Sequence, residues 1–93
     1  MRFEWDEQKN QSNIEKHGLD FADAHKVFDG PMLIQLDTRY EYGEEHWVAI
    51  GLLTHLVVVV VYTEREQGQL VRIISMRKAL NYERRRFERS ITN

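Results

Sequence analysis

The run from Leu56 to Val61, extending to Tyr62, constrains the fold of this chain more than any other stretch. It is apolar throughout and mostly valine. β-Branched side chains are stiff at χ1 and pack well on a pleated surface, so the run favours extended backbone. It is far shorter than the ~20 residues a helix needs to cross a bilayer. It reads as a buried strand, and no membrane span is expected.

Further strand signals lie along the chain at Arg2 to Trp5, Met32 to Asp37, Glu45 to Leu53 and Leu70 to Arg77. The joins at Thr54-His55 and at Glu64 to Gln69, which holds Gly68, are hairpin-sized and imply antiparallel neighbours. A polar loop through Arg39-Tyr40-Glu41-Tyr42-Gly43 precedes the first of them. Asp6 can cap a helix running to about His17, with Gly18 as its stop. Asp20 can cap a second helix in which Phe21, Ala24, His25 and Phe28 share one face, ended by Asp29-Gly30-Pro31. On this reading His25 is a packed residue.

From Lys78 the period changes. At 100° per residue Leu80, Phe87 and Ile91 fall within about 40° of one another, while Arg85, Arg86 and Arg89 project away. The order β-α-α-β-β-β-β-α predicts one α+β domain over residues 1–93. Its sheet is mostly antiparallel, with two N-terminal helices and a C-terminal helix.

Charge is distributed unevenly. The first 46 residues carry 11 acidic and 5 basic side chains, a balance of −6, while residues 47–93 carry 4 and 8, a balance of +4. The net −2 speaks against nucleic acid, but the C-terminal half speaks for it. That half is also a landing surface for an acidic partner. With no cysteine, disulfides, thiolate zinc sites and cysteine nucleophiles are excluded. Met1-Arg2-Phe3-Glu4-Trp5-Asp6 has no apolar h-region, so a secretory signal is not expected and a cytoplasmic location is.

Several short strings occur in a telling order. Phe3-Glu4-Trp5-Asp6, Lys9-Asn10, Asn13 and Lys16-His17-Gly18 come first, followed by Phe21, Ala24, Val27-Phe28 and Pro31. Gly43-Glu44-Glu45-His46-Trp47, Ile50-Gly51, Tyr62-Thr63-Glu64-Arg65 and Arg72-Ile73-Ile74-Ser75-Met76-Arg77-Lys78-Ala79 complete the set. The ordered set resembles the BrnT family of type II toxins over nearly the whole chain. His46 stands where that family usually has arginine, a surface contact, and Met76 where alanine is common, a packing position. The resemblance implies a RelE-like fold, RNA cleavage without a metal or other cofactor, and growth arrest. It also implies neutralisation by a BrnA-like ribbon-helix-helix antitoxin, through which alone operator DNA is reached. Two other readings stay open: a catalytically inactive member acting as an antitoxin-binding, co-regulatory module, and a plain nucleic-acid-binding domain.

Cleaving RNA without a metal requires a base for the 2′-hydroxyl, cations for the phosphate, and an acid for the leaving 5′-oxygen. Arginine suits the second role, because its planar fork contacts two phosphate oxygens and stays charged. His17, Glu64, Arg72 and Arg77 are the expected catalytic residues, and Lys16, Arg65, Ser75 and Lys78 the expected substrate-binding ones. Five of them also have a plainer reading: His17 as a helix C-terminal cap, Glu64 and Arg72 as ion-pair partners, Arg77 and Lys78 as solvated charges. Strict alternation sets Arg72 on one face of its strand and Ser75 with Arg77 on the other, unless a bulge intervenes. His46 and His55, near strand ends, are weaker candidates, and no histidine–carboxylate spacing suits a metal. Phe3, Trp5, Phe21 and Phe28 could stack on bases, but their periodic placement reads as core.

Overall fold

The valine run is the middle strand of a five-stranded sheet in a computed structural model that describes residues 1–39, 41 and 43–92. The strands are β1 (Arg2–Trp5), β2 (Met32–Asp37), β3 (His46–Leu53), β4 (Leu56–Arg65) and β5 (Leu70–Lys78). Their order across the sheet is β1-β5-β4-β3-β2. β2, β3, β4 and β5 pair antiparallel in sequence order, and β1 joins β5 in parallel, so the sheet is mixed. Tyr40 and Tyr42 of the expected polar loop lie outside the described residues.

Both faces of β4 are covered. Val58, Val60 and Tyr62 pack with Leu19, Phe21, Ala24 and Val27 on one face, while Val57 and Val59 meet Ile50 and Phe87 on the other. A strand buried on both faces loses the polar alternation of a half-exposed one, which is why its sequence is a continuous run. β4 continues through Arg65, leaving Glu66 to Gln69 as the turn. That turn is two residues shorter than the expected Glu64 to Gln69. Glu66, Gln67 and Gly68 all have positive φ there.

Helix α1 (Glu7–His17) has the expected ends. The Asp6 side chain accepts from the Gln8 and Lys9 N–H groups, and Gly18 takes the left-handed conformation at φ 69°. Its buried residues are polar, Asn10 and Asn13. Asp20 caps the second helical segment, but this begins as a 3₁₀ turn (Phe21–Asp23) before α2 (Ala24–Phe28). Three residues per turn align Phe21, Ala24 and Val27 on the sheet. His25 is therefore exposed rather than packed, its Nδ1 2.9 Å from the Ala22 carbonyl oxygen.

Phe3, Trp5 and Phe28 pack against the same core, Phe28 meeting Phe3 and Tyr62 edge-on at ring distances of 5.4 and 5.0 Å. Their role is core. Met76 is fully buried, a packing position as its sequence context implied, but His46 is buried too and not a surface residue. Helix α3 (Asn81–Ile91) inserts Phe87 into the second cluster, while Leu80 and Ile91 stay exposed. Of the expected apolar stripe only its centre meets the sheet.

Candidate active site

A bulge in β5 decides which side chains can act together. Val61 pairs with Ser75 and Tyr62 with Ile73, which leaves Ile74 without a partner. An extra residue inverts the alternation beyond it. Ile73 and Met76 therefore both face the α1–α2 side. Arg72, Ser75 and Arg77, opposite Thr63, Val61 and Val59, all face the α3 side. The strict-alternation expectation, with Arg72 alone on its face, gives way to this register.

Sharing a face does not bring these residues to one place. β1 runs alongside β5 only as far as Ile73. Beyond it, α1 takes the place of a strand: Asn13 Nδ2 donates to the Met76 carbonyl at 2.8 Å, and Asn13 Oδ1 accepts from the Met76 N–H at 3.2 Å. Asn13 also holds the Leu19 carbonyl at 3.0 Å. The Asn13 amide thus satisfies an edge that would otherwise be open. It also sets the last turn of α1, with Lys16 and His17, beside the end of β5.

There Lys16, His17, Arg77, Lys78 and Leu80 line a concavity of about 380 Å³. A second hollow of about 500 Å³ shares Lys16 and His17 and reaches Ile74 and Ser75 at the bulge. Arg77 is held firmly. Its Nη1 and Nη2 donate to the two Glu83 carboxylate oxygens at 2.8 and 2.9 Å, and Nη1 also donates to the Lys78 carbonyl at 3.3 Å. Glu83 Oε1 accepts from the Leu80 N–H at 2.8 Å, so one carboxylate closes α3 and fixes the arginine. The Arg77 hydrogen bonds hold the Glu83 carboxyl below its usual range. The same bonds push the Arg77 guanidinium up, so the pair is charged at all ordinary pH. Ordinary solvation, the plainer reading of Arg77, is replaced by this pair.

Arg72, Arg65 and Glu64 lie at the other end of β4 and β5. Arg72 Nη1 is 3.0 Å from Glu4. Arg65 sits 3.8 Å from the same carboxylate and 3.4 Å from Glu44, which itself meets His46 Nε2 at 3.0 Å. Glu64 is exposed on the opposite face, near Tyr62, whose hydroxyl is pushed up by burial and then by the Glu64 charge. Of the eight expected site residues, Lys16, His17, Arg77 and Lys78 converge, Ser75 adjoins them, and three stand apart. Of the residues that hold the site, Glu83 was not singled out in sequence, and Asn13 figured only in the family resemblance, with no role assigned. A glutamate three residues into a helix is the signal for the first; nothing local signals the second.

A further hollow, about 570 Å³, lies between the start of β1 and the 3₁₀ turn and includes Phe3, Trp5, Phe21 and Leu70. It is mostly apolar and remote from Arg77. Among the described residues no three His, Asp or Glu side chains are placed to hold a metal, and no helix is long and apolar enough to cross a membrane.

Fold and site together define a small α+β domain whose cations gather at one edge of its sheet, a form suited to a polyanion. Residues 5–83 match the family model described as ribonuclease toxin, BrnT, of type II toxin-antitoxin system, and the chain belongs to that family. Membership makes it a ribonuclease toxin, with RNA as its substrate class and an antitoxin as its partner. No curated protein sequence matches the chain.

Proposed function

We propose that this chain is a metal-independent endoribonuclease, RelE-like in fold and action, that arrests growth in the cytoplasm until a BrnA-like ribbon-helix-helix antitoxin neutralises it. Operator DNA is reached only through that antitoxin. The observation that carries the reading is the convergence of Lys16, His17, Arg77 and Lys78 on one concavity. In the reaction, the 2′-oxygen attacks the adjacent phosphorus as the bond to the 5′-oxygen breaks. The products are a 2′,3′-cyclic phosphate and a 5′-hydroxyl. Arg77, preset by Glu83, and the two lysines hold the phosphate as negative charge builds on it. His17, whose imidazole can accept or donate a proton, carries one to or from the sugar oxygens. Glu64, Arg65 and Arg72 take no part in the chemistry on this reading.

Purified protein in excess EDTA is expected to cut RNA and leave cyclic or 3′-phosphate ends. Induced expression is expected to stop bacterial growth, and co-expression of the antitoxin to restore it. Cleavage that disappears with chelator and returns with magnesium or zinc overturns the mechanism. One observation favours a second reading, an antitoxin-binding module that does not cut RNA: two of the Arg77 nitrogens are already engaged by Glu83. Normal growth with verified folded protein supports that module.

A further inference from the structure

We propose that the cleft on the α3 face of the sheet is a nucleobase subsite, and that it selects bases carrying a ring carbonyl (guanine, uracil or cytosine) over adenine. The inference rests on the ribonuclease reading and adds where the strand lies and which base it presents.

The cleft encloses about 290 Å³. Its floor follows from sheet register. Gln35 on β2, Val48 on β3, Val61 on β4 and Ser75 on β5 form one cross-strand row, and Val59 lies in the row beside it. Val48 and Val61, both partly exposed, thus make an apolar bed bounded by an amide and a hydroxyl, with Val59 fully buried beneath it. The first turn of α3 sets Tyr82 at the rim, 55% exposed. A planar ligand fits such a bed, since a base gains from stacking on an aromatic ring and from covering apolar surface.

Hydrogen bonding sets the selectivity. Arg86 Nη2 donates to Gln35 Oε1 at 3.1 Å. A guanidinium only donates, so the amide oxygen must face Arg86, leaving the Gln35 NH₂ to donate elsewhere. The two carboxylates in the cleft are already engaged: Asp37 receives the Arg39 Nε and Nη2 at 3.0 and 3.1 Å, and Glu83 receives the Arg77 Nη1 and Nη2 at 2.8 and 2.9 Å. What the cleft offers a ligand is therefore rich in donors: the Gln35 amide, the Ser75 hydroxyl and Arg77. Guanine, uracil and cytosine present carbonyl oxygens to such donors; adenine offers ring nitrogens and no carbonyl.

Connectivity supplies the second argument. Arg77 lines both this cleft and the Lys16–His17 concavity, and Ser75 lines both the cleft and the hollow beneath α1. A strand crossing the end of β5 can seat a base on the valine bed and its phosphate at Arg77, within reach of His17. An acidic peptide could use the arginines, but it would leave the apolar bed and the Tyr82 ring uncovered.

The test is titration of the full chain with GMP, UMP, AMP and inorganic phosphate, followed by methyl and aromatic NMR. GMP and UMP are expected to shift Val48, Val59, Val61 and Tyr82, with AMP about 10-fold weaker and phosphate leaving the valines unmoved. Tyr82→Ala should weaken GMP by about 10-fold or more and Tyr82→Phe should retain it. Gln35→Glu, which swaps donor for acceptor, should remove the preference over AMP. Shifts confined to Lys16, His17 and Lys78, or AMP binding as tightly as GMP, would overturn the subsite. So would phosphate alone reproducing the shifts, or the cleft accepting an acidic peptide and no nucleotide. Wild-type chain that cuts RNA yet binds no base in the cleft sinks this inference alone. Chain that binds GMP there and cuts no RNA supports the subsite and sinks the nuclease reading.

Discussion

The two ends of β5 carry cations of the same kind in opposite surroundings. At the turn end Arg72 and Arg65 face Glu4 and Glu44, and charge is matched by charge. At the helix end only Glu83 faces Arg77, and Lys16 and Lys78 have no carboxylate partner among the described residues. Matched pairs tie β1 and the β3 approach to the sheet. Unmatched cations leave a field for an anion to complete. A cation count along the sequence cannot separate the two ends, because Arg72 and Arg77 look alike until their partners are known.

The sharpest way to break this comparison is to remove each arginine in turn. Arg77→Ala should lower the single-turnover rate of RNA cleavage by ~10²–10³, the usual loss when a fixed donor to developing charge is removed. Arg72→Ala should leave that rate within about threefold. Its effect is on stability, roughly 1 kcal/mol in urea unfolding for a half-exposed pair. Equal loss of cleavage in two folded variants would show that both ends of β5 serve one site.

A second variant tests how the helix end is assembled. Asn13→Ala strips partners from the Met76 N–H and C=O and from the Leu19 carbonyl. Leaving buried backbone groups unpaired should cost about 2–3 kcal/mol in chemical denaturation. Cleavage should fall with it, since Lys16 and His17 ride on α1. Wild-type stability in Asn13→Ala would mean that α1 is held by something else.

Acid should also separate the ends, through the depressed Glu83 carboxyl. Glu83 titrates below its ordinary value of 4.5 because Arg77 bonds to it. A depressed carboxyl contributes stability that is complete above the unfolded value and disappears as pH falls through the folded one. Melting curves should therefore show a loss beginning below about pH 4.5 that Arg77→Ala reduces. An unchanged acid profile in that variant would refute the coupling.

The smallest effect is expected on the outer face of α3. Arg85→Ala removes a solvated charge, so cleavage should stay within about twofold while the salt dependence of RNA binding flattens by about one unit of slope. A large rate loss there would move the site away from β5.

How much was legible follows from how local each signal is. The Asp6 and Asp20 caps, the Gly18 stop and the valine strand were readable because a cap or a period acts within a few residues. His25 was misplaced because a 3₁₀ start shifts the helical face, a choice that packing of Phe21, Ala24 and Val27 makes. His46 was taken for a surface residue because burial of a strand's first position depends on the strands beside it.

By itself the sequence determined the order of elements, the α+β class, the middle strand, and which segments hold the basic residues. Those properties rest on periodicity, propensity and capping, all set by near neighbours in the chain. Tertiary structure alone decided that Ile74 bulges, so that Arg72, Ser75 and Arg77 share a face. It also decided that Arg72 meets Glu4 68 residues away and that Asn13 holds Met76 across 63 residues. Contacts that distant depend on how strands and helices stack, and no local pattern encodes their register.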